Sequence, residues 1–421
     1  MTRTYHDPLH GAITLDSADR VEQLLTELIE TAAFQRLRRI RQLGPASLTF
    51  HGAETSRFTH SLGVMAVARR AFDRLAHLHE ELRSHRATLL CAALLHDIGH
   101  GPFSHTAEEI FGCEHEYWTM AIVEHSPQIR ALLDGFSPDL WQAIIQVYTH
   151  RHPVACVWQL VSSQLDCDRI DYLMRDSYFT GASYGQLDLD RILLALDYDP
   201  LSHQLVVKRK GLAAIEHYLV VRSFLHLQIY NHPKNLTATW VLEQAFRRAR
   251  ALLKQGEIEA DATVKGWLLS DITELPLNRY LDGDDIVFTY HLQQWQHHTD
   301  PILADFCRRY LHRRLLKALD VTYATSEEQK KLLSNVQQQL IAKGVDADRY
   351  SGLRRIWSKG YETYQQGIKI KTSRGLKEIT QISPLVRTLS QPAQRTWLIY
   401  PGDVMVGVCP LPEESVDIPA D

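Results

Sequence analysis

The sequence has no pair of cysteines at metal-binding spacing. Its six cysteines, Cys91, Cys113, Cys156, Cys167, Cys307 and Cys409, are scattered. That excludes a zinc–thiolate centre and fits the reduced thiols of a cytoplasm better than a disulfide framework. Long apolar runs are missing too. Stretches such as LLCAALL fall far short of the roughly 20 residues a membrane span needs. The opening MTRTYHDPLHG has no apolar h-region, so neither a signal peptide nor membrane association is expected, and the expected location is cytoplasmic. Neither sign of charge is in excess: 46 Lys+Arg against 50 Asp+Glu leave a net charge of −4. This gives no general attraction to nucleic acid or anionic membrane. No fixed-period repeat is seen. HExxH, GxxxxGK(S/T) and GxSxG are all absent, which removes the metalloprotease, P-loop and nucleophile-elbow chemistries.

What is present is an ordinary globular composition, 45% hydrophobic and 23% charged over 421 residues. Helical periodicity dominates from about residue 20 to 320. VEQLLTELIETAAFQRLRRIRQLG reads as one helix stopped by Gly44-Pro45. HSLGVMAVARRAFDRLAHLHEEL reads as a long amphipathic helix, and ATLLCAALLHDIG, apolar nearly all round, as a central buried one. HQLVVKRKG alternates briefly, like a small hairpin strand. Beyond about residue 320 the texture changes. SEEQKKLLSNVQQQLIAKG is a polar-faced helix, whereas QGIKIKTSRG and RTWLIYPGDVMVGV alternate like strands. The expected class is mainly α. A helical catalytic core spans residues 1–320, a smaller α+β lobe spans 321–411, and 412–421 form a disordered tail.

The chemistry concentrates in LLHDIGHGPFSH, residues 94–105. His96 and Asp97 are adjacent near the end of a buried helix, which Gly99 and Gly101-Pro102 then break. Imidazole with carboxylate suits a first-row divalent metal, rather than the all-oxygen shell of calcium. Two ligands are too few. His60 in SRFTHSLG is a further candidate, as are Asp166, Asp168, Asp171 and Asp176 in LDCDRIDYLMRD. Buried carboxylates are costly unless paired or metal-bound. Asp168 and Asp171 share a helix face, and spacing alone does not choose among the four. A lone histidine among 22 is usually a satisfied core or surface residue; this combination is much harder to obtain by chance.

The order of DPLHG, FQRLRRIRQLG, RFTHSLGV, LLHDIGHGPFSH, LDCDRIDYLMRD and VRSFLHLQIYNH resembles the HD-domain phosphohydrolases. The likeness is strong over about residues 5–235. It is nearest to the branch of the sterile-alpha-motif/HD-domain dNTP triphosphohydrolase and its bacterial relatives. The resemblance implies an HD-domain helical bundle holding one divalent ion, Mn²⁺, Fe²⁺, Mg²⁺ or Zn²⁺, through His60, His96, Asp97 and Asp168. Asp166 and Asp171 then become helix-positioning or surface residues. It implies hydrolysis of a dNTP to deoxynucleoside and triphosphate, with His105 as general acid supported by Glu108 and His115. Arg57, His100, Arg169 and Arg222 would meet phosphate. Tyr172, Asp176, Tyr230, Gln42 and Leu43 would meet the sugar and leave no room for a 2′-hydroxyl.

QRLRRIR places Arg36, Arg38, Arg39 and Arg41 in two helical turns, and by itself reads as a solvated basic face. In the resembling family this segment and DPLHG build a nucleotide-binding regulatory site between subunits. The resemblance therefore implies GTP or dNTP activation through Glu30, Gln35 and Arg38, in a homo-oligomer, dimer or tetramer. Two rival readings stand beside the triphosphohydrolase. One is an HD-type phosphodiesterase or nuclease acting on single-stranded or cyclic nucleotides. The other is a non-catalytic HD scaffold that binds nucleotide.

Overall fold

The structure is a computed structural model, and it describes residues 2–112, 114–358, 360–363 and 367–406. The tail expected at 412–421 lies outside the described residues, as do Cys113 and Cys409. The described chain is mainly helical, with small sheets. No described helix is long and apolar enough to cross a membrane.

Two helices carry the centre of the molecule. The first, Arg57–Leu78, starts at Ser56, whose side chain accepts the Thr59 N–H and so satisfies one open donor of the first turn. Every residue from His60 to Ala68 is buried, so its first half is enclosed on all faces rather than amphipathic. The second, Arg86–Leu95, buries every residue from Ala87 to Leu95, as its uninterrupted apolar sequence predicts. It ends one residue before His96. Gly99 then passes directly under the helix His115–His125: a Cβ there would stand 2.2 Å from the His115 carbonyl oxygen and 2.3 Å from the Thr119 nitrogen. Only glycine permits that approach. The helix Cys167–Thr180 is capped by Asp166 and ends at Gly181, which takes the left-handed conformation with φ 77°.

The expected single helix over 21–44 is instead three pieces: a helix Arg20–Ile29, a short helix Ala32–Arg36 and a 3₁₀ turn Leu37–Arg39. Thr31 causes the break, because its side chain accepts the Phe34 N–H and starts a new helix. The arginines therefore do not form one solvated face. Arg36 is 1% exposed and donates to the Gly283 carbonyl from Nε at 2.9 Å and Nη2 at 2.7 Å. Arg38 stacks over the Phe58 ring at 3.6 Å. Arg39 pairs with Asp284, and Arg41 with Glu54.

Among the described residues the strands form three small sheets. β1 (Arg3–Asp7) and β2 (Gly11–Leu15) make an N-terminal hairpin whose turn is Pro8–His10. The strand expected in the 203–211 stretch is β4 (Gln204–Lys208), and it pairs as a hairpin with β3 (Leu196–Asp199), which precedes that stretch. β7 (Lys369–Thr372) adds to β4 in parallel, and β8 (Gly375–Glu378) completes that sheet. β5 (Lys317–Asp320) and β6 (Gly352–Ser358) flank β9 (Ala393–Tyr400). The helix expected at 326–344 runs Ser326–Ala342 behind a Thr325–Glu328 capping box.

Packing crosses the boundary expected at residue 320. One hydrophobic core collects Ile13 through Ile229 and then Tyr361, Ile368, Ile370, Ile379 and Val386. A second collects Phe103, Phe111 and Trp118 with residues from Val241 to Val404. The segment beyond 320 is thus divided between both cores.

Candidate active site

Four side chains from three distant segments converge. His60 lies in the first turn of Arg57–Leu78, His96 and Asp97 follow the end of Arg86–Leu95, and Asp168 lies in the first turn of Cys167–Thr180. His60 Nε2 stands 3.0 Å from Asp168 Oδ1 and 3.5 Å from Asp97 Oδ2. His96 Nε2 stands 3.3 Å from Asp97 Oδ1 and 3.5 Å from Asp168 Oδ1. Each ring turns its Nε2 inward because its Nδ1 is engaged elsewhere. His60 Nδ1 donates to Asp171 Oδ2 at 2.7 Å, and His96 Nδ1 donates to the Ala93 carbonyl at 2.9 Å. This arrangement is how metal-ligating histidines are oriented.

The donor set fits a divalent cation. His96 Nε2 is buried and has no hydrogen-bond partner, and an orphaned acceptor of that kind is costly unless something binds it. Two imidazole nitrogens with two carboxylates suit a first-row metal. Electrostatics point the same way. Burial opposes a charge on His60, but hydrogen bonds from Asp168 and Asp171 and the charge of Asp97 outweigh it and raise its pKa to about 10. The pocket is short of positive charge, which a cation would supply.

Asp171 is not a surface residue. It is 0% exposed and holds His60 from behind. Asp168 and Asp171 share a face of their helix and clasp opposite edges of the same ring. Asp171 also accepts from Arg175 Nε at 2.8 Å and meets His10 Nε2 at 2.5 Å. Arg175 Nη1 in turn donates to Asp7 Oδ2 at 2.8 Å. A buried ionic network thus ties the N-terminal hairpin to His60, a candidate metal ligand. Gly63 makes room for it: a Cβ there would fall 2.0 Å from Asp171 Oδ1. Burial works against the Asp171 charge, yet Arg175, His10 and His60 keep its pKa well below the ordinary carboxylate range. Replacing Asp171 by Asn should weaken metal affinity by about 10- to 100-fold with the fold intact. Titration of apoprotein with Mn²⁺ checks it, and unaltered affinity would remove Asp171 from this role. Asp166 is likewise buried, and it caps its helix by accepting the Arg169 N–H at 2.7 Å.

A second imidazole–carboxylate group adjoins the first. Glu108 accepts from His105 Nδ1 at 3.2 Å and from His115 Nδ1 at 2.5 Å. Burial disfavours the charge on Glu108, but both histidines hold it far below the usual glutamate range. Burial opposes protonation of His115, and Glu108 overcomes it, raising the His115 pKa. His100 stacks on His115 with centroids 3.9 Å apart, and its Nε2 lies 3.3 Å from Asp97 Oδ1. Burial, Arg57 and His115 push the His100 pKa far below the ordinary histidine value. His100 therefore bridges the two groups. The His105 side chain is 64% exposed. It follows two successive non-glycine residues with positive φ, Phe103 at 63° and Ser104 at 56°, a conformation costing on the order of 1–3 kcal/mol each.

The expected phosphate contacts divide. Arg57 is committed within the protein: it donates to Asp97 Oδ2 at 2.6 Å, Ser104 Oγ at 3.0 Å and the Gln42 carbonyl at 3.2 Å. In this structure its donors are spent on Asp97, Ser104 and Gln42. Arg169 pairs with Asp166, and Arg222 Nη1 donates to Gln164 Oε1 at 2.8 Å. Each keeps a buried Nε with no partner. Burial, with Arg222 and Arg169, pushes His226 down to about 4, a sign of locally concentrated positive charge. The sugar candidates also gather. Tyr230 donates to Asp176 Oδ2 at 2.8 Å and its ring lies 6.0 Å from that of Tyr172. Asp176 Oδ1 and Gln42 Oε1 are buried without partners. Burial raises the Asp176 pKa to about 7. Leu43 is half-buried against the first core.

The residues expected to regulate lie near the hairpin. Glu30 pairs with Arg3 of β1 at 2.6 Å, and Gln35 Oε1 accepts from Arg38 Nε at 2.8 Å. The buried Tyr5 hydroxyl between them has no partner.

Comparison with known proteins agrees with this geometry. The HD domain matches residues 57–172, and the HD associated region matches 187–400. The uncharacterized protein YwfO of Bacillus subtilis is 34% identical over 99% of this chain and 96% of its own length. The bovine deoxynucleoside triphosphate triphosphohydrolase SAMHD1 is 28% identical, over 59% of this chain and 47% of its own. The chain thus spans about half the length of that relative. A crystal structure of a phosphohydrolase from Bacteroides thetaiotaomicron superposes with TM-score 0.83 at 29% identity, covering 95% of this chain and 100% of its own. Sequence and fold lead to one group: the chain belongs to the HD-domain family and is an HD phosphohydrolase.

Proposed function

We propose that the protein is a metal-dependent dNTP triphosphohydrolase, converting dNTP and water to deoxynucleoside and triphosphate. One observation carries the reading: the His60–His96–Asp97–Asp168 centre and the His105–Glu108–His115 group adjoin, joined through Asp97 and His100. Cleavage of the bond between the α-phosphorus and the 5′-oxygen needs both, because a sugar alkoxide is a poor leaving group and must receive a proton. A divalent ion bound by His60, His96, Asp97 and Asp168 would polarise a phosphoryl oxygen and acidify water. His105 carries the proton to the 5′-oxygen, and Glu108 orients its ring by accepting from Nδ1 while His115 braces Glu108. Arg169 and Arg222 offer unpaired Nε donors to the phosphate chain. Asp176 Oδ1 and Gln42 Oε1 are open acceptors for the 3′-hydroxyl. Tyr172, Tyr230 and Leu43 would crowd the 2′ position.

The exposure of His105 favours a second reading, a phosphodiesterase that admits single-stranded or cyclic nucleotides. The complete donor set speaks against a non-catalytic scaffold. Protein loaded with Mn²⁺ and given each dNTP should release tripolyphosphate and free deoxynucleoside. Pyrophosphate with a monophosphate, orthophosphate, or no product overturns the proposal. We also propose that Glu30, Gln35 and Arg38 take an activating nucleotide in an oligomer. GTP added to the same assay should then raise the rate, and an unchanged rate rejects the activator.

A further inference from the structure

The turn that delivers His105 is held from the other half of the molecule. Asp285 is 4% exposed and begins the helix Asp285–Trp295. Capping of that helix falls to its neighbour: Asp284 accepts the Ile286 and Val287 N–H groups. The Asp285 carboxylate is left free to point into the catalytic half. Its Oδ1 accepts the Phe103 N–H at 2.7 Å, and its Oδ2 accepts the Arg41 N–H at 3.0 Å. The same residue is also held through its carbonyl, in the next peptide group. Its carbonyl accepts from Ser104 Oγ at 2.5 Å, and Ser104 Oγ accepts from Arg57 Nε, which in turn reaches Asp97.

Two features show that this carboxylate does more than fill a helix position. It bonds the first of two adjacent residues with left-handed backbone. Ser104 has φ 56° and ψ −131°, a region that favours glycine, and such a turn persists only where its surroundings over-determine it. Burial also pushes the Asp285 pKa up to about 6, so an apolar residue there would avoid the desolvation that this side chain suffers.

We propose that Asp285 is a positioning residue: by accepting the Phe103 and Arg41 N–H groups, it holds the left-handed turn and so sets where His105 stands relative to Asp97. Its catalytic consequence rests on His105 being the proton donor; its hold on the turn does not. An asparagine at 285 can accept one of the two N–H groups but directs its own NH₂ at the other.

The test is Asp285→Asn, read two ways. Hydrogen–deuterium exchange should rise at residues 101–105 and 40–42, with no change in the helix Pro233–Gln255. Turnover of dNTP should fall by about 10- to 100-fold, the usual cost of a misplaced catalytic group, while KM and metal content hold. Hydrolysis of bis(4-nitrophenyl) phosphate, whose leaving group needs no proton, should be nearly spared. Equal loss on both substrates would mean a general structural role and overturn the proposal. So would unchanged exchange at 101–105. Should wild-type protein not hydrolyse dNTP, the functional reading fails while the exchange measurement still decides the hold on the turn. If the Asn variant does not fold, Asp285→Glu, which keeps the charge but moves it by one methylene, takes its place. The same readouts then apply, and the same results support or overturn the proposal.

Discussion

Protein with His96 and Asp97 replaced by alanine should neither bind a divalent ion nor turn over substrate. The expected loss is at least about 10³-fold, because the chemistry assigned to a bound ion goes with its ligands. Asp97 meets His60, His96 and His100 and accepts from Arg57. Removing it leaves a buried guanidinium unpaired as well as a centre one ligand short, so some loss of stability accompanies the loss of metal. His96→Ala alone is the cleaner change, since the His96 ring makes few other bonds. Metal content by mass spectrometry and turnover should fall together in each variant. Activity that survives with the ion gone assigns the reaction to another centre.

His105→Gln separates the proton from the ion. The substitution keeps a polar side chain at an exposed position, so folding and metal uptake stand. Turnover with dNTP should fall by roughly 10²- to 10⁴-fold, the range for losing a general acid. Activity on an ester with an acidic leaving group should fall far less. Glu108→Gln should reproduce a weaker form of the same pattern, because it replaces the carboxylate that accepts from both His105 and His115 and so loosens the orientation of the His105 ring. Equal losses on both kinds of substrate would return the acid role to another side chain.

The sequence announces this centre unevenly. His96 and Asp97 are legible because a helix apolar on every side ends in two polar groups and then glycine. The choice of Asp168 among four nearby aspartates is not legible from spacing. Asp168 and Asp171 occupy the same helix face, and the same His60 ring uses both, one on each nitrogen. Period and polarity cannot tell a ligand from the group that orients it. DPLHG points to regulation alone, yet Asp7 and His10 also brace the metal ligands through Arg175 and Asp171. Asp285 is invisible for a simpler reason. It lies 182 positions from the amide it holds, and in the sequence it is only an acid at the head of a helix. The break at Thr31 is readable as a capping signal, but the continuous apolar period of the surrounding residues masks it.

The return of Tyr361, Ile368, Ile370, Ile379 and Val386 to the first core has a consequence for biosynthesis. Tyr361, Ile370, Ile379 and Val386 are 0% exposed there, and β7 lies against β4. Until the ribosome has delivered these residues, the half that carries His60, His96 and Asp168 presents an open apolar flank and an unmatched strand edge. The nascent chain can gather its ligands early but cannot seal them. Folding of that half on the ribosome should therefore wait for Ile368 to Val386 to emerge, and a growing chain stalled near residue 320 should be a client for chaperones rather than a working enzyme.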